Sequence, residues 1–184
     1  MKTLRFFIIF LVGFFLMPLQ SFSQKQNDSL TIINKVNLLN FNYYQSINNN
    51  PLSSLNYAEE AFSYHKNIKS IELKFKVATN FTTALFINEN YNKALSILDS
   101  IDPIKIQKKD KALYYTLRGL VETNLNNPLQ AEESFKKALT LYIELKDKDN
   151  EFTVLNNLGL LYNNIGNYKK SLESYIRCYA IIKD

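Results

Sequence analysis

The chain has 184 residues, 46% hydrophobic and 21% charged, a balance that excludes an intrinsically disordered chain. Its net charge is +5; Lys2 and Arg5 are two of the 22 basic residues, so the rest of the chain carries +3, a figure for solubility and not a nucleic-acid signal. One cysteine, Cys178, excludes an intramolecular disulfide and a thiolate metal site, and four Gly and four Pro leave room for long helices.

Taken from the start, Lys2 and Arg5 precede an apolar run from Phe6 to Leu19, and small residues at Ser21 and Ser23 stand just before Gln24. This is the pattern of a secretory signal peptide spanning 1–23. As a helix the apolar run would span about 21 Å, short of the roughly 30 Å hydrocarbon core. The expected product is therefore exported, periplasmic or extracellular in a bacterium, with no membrane insertion after cleavage. No cysteine near the cleavage region supports a lipoprotein.

Residues 24–28 read as a polar lead-in, with Asp28 or Ser29 as a first helix cap. Apolar periodicity then predicts helices in pairs. First members run over 29–47, 70–87, 110–125 and 150–164; second members over 51–66, 91–101, 128–146 and 168–182. The short turns between them force antiparallel neighbours. The units are about 29–69, 70–109, 110–149 and 150–184.

One turn is written four times. Asn50, Asn90, Asn127 and Asn167 recur at steps of 40, 37 and 40 residues, each followed by Pro or Tyr. Asn is a good helix N-cap, and Pro at the first helical position loses no hydrogen bond. Four residues on stands a small side chain: Ser54, Ala94, Ala131 or Ser171. Eight on come Ala58, Leu98, Phe135 and Tyr175; eleven on, Ala61, Ile101, Ala138 and Cys178. These offsets share one helical face, where small residues admit a close neighbour. A period near 40 marks stacked repeats, and burial within one pair does not offset the entropy of ordering it, so stacking is obligatory.

These residues resemble the tetratricopeptide-repeat family. The last unit carries Leu155, Leu158, Gly159, Tyr162, Gly166, Tyr168, Leu172, Tyr175 and Cys178 at the family's packing positions. The third matches at Tyr115, Gly119, Ala131, Phe135 and Ala138. It departs at Arg118 and Glu122, where Leu and Tyr are usual and where the two are spaced to pair. In the first two units Asn42 and Thr82 stand in the place of the family glycine. The resemblance implies an all-α, right-handed superhelical solenoid of antiparallel helix pairs.

It also implies a non-enzymatic interaction scaffold that holds a protein or peptide in a concave groove lined by the first helices. The residues expected there are Asn40, Tyr43, Lys76, Thr79, Asn80, Thr83, Thr116, Leu120, Asn156 and Asn157. Asn40, Asn80 and Asn157 fall at equivalent places, and an amide can both donate to and accept from a peptide backbone. Only Lys76 is expected to bring a charge into the groove, which argues against a basic clamp for a terminal carboxylate. The alternative is a periplasmic sensory region of a larger membrane-anchored regulator.

No catalytic, cofactor or metal residue is indicated. His65 is the sole histidine and has no partner cluster, Cys178 fits a buried small-residue slot, and Glu59-Glu60 and Glu132-Glu133 read as surface pairs. The last helix, with Leu172, Tyr175, Tyr179, Ile181 and Ile182, lacks a polar outer face. Self-association or continuation of the stack is expected on that side.

Overall fold

The computed structural model describes residues 29–183. The expected leader, 1–23, the lead-in, 24–28, and Asp184 lie outside the described residues. Helix α1 (29–46) is followed by α2 (Pro51–Ser63), α3 (Ile71–Ile87), α4 (Tyr91–Asp99), α5 (Lys108–Asn124), α6 (Pro128–Leu145), α7 (Lys148–Asn164) and α8 (Tyr168–Lys183). There is no strand among the described residues. From α2 onward each helix packs on the next, and α3 with α5, and α5 with α7, also touch. That second set of contacts puts the first helix of each pair on one side of a helical solenoid.

Several helix ends differ from expectation. Helix α2 stops at Ser63 because Tyr64 to Asn67 turn back on it, His65 N–H donating to the Phe62 carbonyl at 2.8 Å. Helix α4 stops at Asp99, ahead of the Asp102-Pro103 join. Helix α7 starts at Lys148, two residues early, because Asp147 caps it by accepting from Asn150 N–H at 3.2 Å. Lys146, in the left-handed region at φ 56°, turns the chain sharply between α6 and that cap.

The four asparagines open helices, but their side chains do so only twice. Asn50 Oδ1 accepts from Ser53 N–H at 3.0 Å and Asn167 Oδ1 from Lys170 N–H at 3.3 Å, whereas Asn90 and Asn127 make no such bond. The shared chemistry lies in the backbone. Each Asn carbonyl accepts from the residue four on, at 3.0 Å in all four turns. The N–H groups of Asn90, Asn127 and Asn167 donate to the carbonyl five residues back, at 2.8, 2.9 and 2.8 Å. Glu89, Asn126 and Gly166 before them have φ of 61°, 59° and 75°. This is a Schellman ending run straight into a helix start, so the same residue closes one helix and begins the next.

The apolar seam is continuous. Val36, Leu39, Ala61, Ile68 and Val77 form its first cluster. Tyr43, Phe75, Phe81, Leu85, Leu98 and Tyr114 belong to the second, and Phe135, Tyr142, Val154, Leu155 and Tyr162 to the third. Ser54, Ala94, Ala131 and Ser171, the small residues of the repeated turn, are all buried. Phe135 and Tyr175 lie so close over Gly119 and Gly159 that a Cβ at either glycine would stand 2.6 Å from a ring carbon. Arg118 and Glu122 do pair, Nε donating to Oε1 at 2.9 Å.

Candidate functional site

Along α3 the residues Glu72, Phe75, Lys76, Thr79, Asn80 and Thr83 follow the spacing of a single helical stripe. On one side of it lie Tyr43, Tyr44 and Ile47 of the first unit; on the other, Asp110, Leu113 and Leu117 of α5. Together they enclose an open pocket of about 430 Å³. Phe75, Leu117 and Tyr43 are buried and form its apolar floor, while Tyr44, Lys76 and Glu72 are exposed at its mouth.

Asn40 and Asn80 are not free arms. Asn80 Nδ2 donates to Asn40 Oδ1 at 2.8 Å, and Tyr44 Oη donates to Asn80 Oδ1 at 3.0 Å. Asn40 and Asn80 are 3% and 6% exposed, so the pair is largely used up inside the stack. Asn40 corrects the expectation outright, because it lies beneath the pocket wall instead of in it. Its own Nδ2 is buried and finds no partner among the described residues.

Thr79, Thr83 and Thr116 hydroxyls donate to the carbonyls of Phe75, Thr79 and Ala112 at 3.0, 2.9 and 3.0 Å. Their protons are committed to their own helices, and only lone pairs remain for a ligand. Thr116 is buried and Leu120 packs on the third core cluster, so neither lines the pocket. Asn156 and Asn157, half-buried on α7, also lie away from it. The structure thus brings Tyr43, Lys76, Thr79, Asn80 and Thr83 together and leaves Thr116, Leu120, Asn156 and Asn157 outside.

Charge at the site also differs from expectation. Lys76 is not alone: Glu72 and Asp110 line the same pocket. Lys76 does not pair with Glu72, four residues before it. Its Nζ lies 5.5 Å from the centre of the Tyr44 ring, a cation–π distance. Burial, with Glu72 nearby, pushes the Asp110 carboxyl above its usual range, and Lys109 only partly opposes this. The Tyr43 phenol is pushed up by burial and by Tyr44. Glu72 and Asp110 lie on the helical stripes 72–83 and 110–117, and that spacing is the sequence signal that places them beside the groove residues.

Elsewhere the chemistry is structural. His65 lies beside Phe62 at 5.1 Å between ring centres, and burial and then Lys74 lower its pKa. Cys178 is 5% exposed, and burial raises its thiol pKa. No group of three His, Cys, Asp or Glu residues is arranged to hold a metal among the described residues, and no described helix is long and apolar enough to cross a membrane. On α8, Leu172, Ile176, Tyr179 and Ile182 are exposed, whereas Ile181 packs on the core.

A family model described as tetratricopeptide repeat matches residues 110–184. Helices α5 to α8 therefore carry tetratricopeptide repeats. The crystal structure of BtubC (BKLC) from P. vanneervenii superposes with a TM-score of 0.64 at 14% identity, covering 85% of this chain and 73% of that one. At that identity the likeness concerns the fold, a helical repeat stack that extends through the less regular first units. No match is found among the curated proteins. Tetratricopeptide repeats generally mediate protein–protein interaction, and the family is typically non-enzymatic.

Proposed function

We propose that the protein is a scaffold that captures an extended peptide or a helix in the pocket between α1, α3 and α5. The observation that carries this reading is the pocket itself. It joins an apolar floor to a rim of Tyr44, Glu72, Lys76 and Thr83, the mixture that small-ligand and peptide sites use to combine burial with orientation. Affinity comes from Phe75, Leu113 and Leu117, and orientation from the polar rim. The basic and apolar start of the chain supports export to the periplasm or the cell exterior, where the captured partner would be met.

The test is enrichment of short random peptides displayed on phage, comparing the protein with Lys76→Ala plus Leu113→Ala. Both side chains are exposed, so the variant is expected to melt with the parent and to lose enrichment. Equal enrichment by both proteins defeats the reading. The apolar outer side of α8 supports a further helix stacking there, from a second copy or from continuing repeats. Light scattering showing only monomer at high concentration would remove the second copy.

A further inference from the structure

The pocket holds two carboxylates that its own lysine does not neutralise. Glu72 and Asp110 sit in the first turns of α3 and α5, where helix dipoles let two like charges stand near each other. Neither is in an ion pair among the described residues. Lys76, four residues from Glu72, is turned onto the Tyr44 ring at the opposite side. Between the two ends run the apolar side chains of Phe75, Leu113 and Leu117.

We propose that this pocket is the anchor for a basic side chain, lysine or arginine, of the captured peptide, a statement that rests on the groove reading above. The aliphatic stem lies along Phe75, Leu113 and Leu117, and the cationic head sits between Glu72 and Asp110. A long basic side chain matches an apolar wall with a charged end because it can bury its methylenes while keeping its head paired. Two carboxylates, one of them half-buried, attract a cation more strongly than a single surface charge does. An acidic peptide would meet repulsion at the same point, so the pair sets selectivity as well as affinity.

The test uses amide chemical shifts of the isotope-labelled protein with N-acetyl-argininamide, and N-acetyl-norleucinamide as its uncharged counterpart. Saturable shifts are expected at Glu72, Thr79, Asp110 and Leu113 with the arginine probe. Glu72→Gln plus Asp110→Asn should weaken its binding about tenfold, and the norleucine probe should be weaker by a similar factor. The peptide library, read in parallel, should be enriched in Lys and Arg. Equal binding of the two probes, or unchanged binding by the double variant, overturns the cation anchor. Peptide enrichment without basic preference also overturns it and leaves the groove standing. Arginine-probe shifts with no enriched peptide defeat the groove reading instead and leave a site for small cations.

Discussion

Phe135 occupies the space that a side chain at residue 119 would need. A Cβ on Gly119 would meet three ring carbons of Phe135 within 2.9 Å, and that ring is 1% exposed. It has nowhere to go. Gly119→Ala is expected to destabilise the protein by about 1–3 kcal/mol, because overpacking outweighs the helical gain of up to about 1 kcal/mol. Adding Phe135→Leu should restore part of the loss. Tyr175, 36% exposed, can swing away from Gly159, so Gly159→Ala should be far milder. Denaturant midpoints for the three variants decide this.

Glu122 is 3% exposed, and its carboxylate accepts from Arg118 Nε at 2.9 Å and from Ser134 Oγ at 2.7 Å. Arg118→Leu strands a buried charge and is expected to cost about 3 kcal/mol. Arg118→Leu with Glu122→Tyr, the pair usual in the family, should recover most of that. A double-mutant cycle by chemical denaturation measures the coupling; additive effects would refute it.

Glu132 gathers three donors: Lys136 Nζ at 2.6 Å, Tyr162 Oη at 2.8 Å and Lys170 Nζ at 3.1 Å. Burial opposes its ionisation, but these bonds outweigh burial and bring its pKa from 4.5 down to about 2. A carboxylate depressed by folding stabilises the native state above its unfolded pKa, and that stability is lost as pH falls through the folded value. Wild type should therefore lose an increment between pH 4.5 and about 2 that Glu132→Gln does not lose. Melting temperatures of both proteins across that range provide the comparison, and parallel curves would refute the assignment.

Asn80→Ala would leave Asn40 Oδ1 without its donor in a buried site. The expected cost is about 1–3 kcal/mol, visible as a lower melting temperature. Weaker partner capture by that variant would report a loosened fold, so exposed Lys76 and Leu113 are the better probes of binding. An unchanged melting temperature would show that the pair is dispensable.

Much of the fold was legible because repeat geometry ties sequence offsets to packing. Ser54, Ala94, Ala131 and Ser171 could be assigned to the seam from their spacing alone, and all four are buried. Asn42, Thr82, Gly119 and Gly159 each precede by 16 residues a partner whose size runs the other way: Ala58, Leu98, Phe135 and Tyr175. What spacing does not carry is the choice among local hydrogen bonds. Asn90 and Asn127 satisfy the same turn through their backbones, leaving their side chains out of the cap. The same limit hid the pocket's charge, since Lys76 has Glu72 and Tyr44 within reach and takes the ring.

The join between α4 and α5 is a long, irregular connection, with Ile104 85% exposed and Lys105 paired with Asp102 at 3.0 Å. A protease specific for basic residues should nick the chain there first. Leu98 and Ala94 before the cut share one core cluster with Tyr114, Leu117 and Val121 after it. The two fragments are therefore expected to stay clasped under native conditions and to part only in denaturant, so the halves could be produced separately and mixed to regenerate the whole.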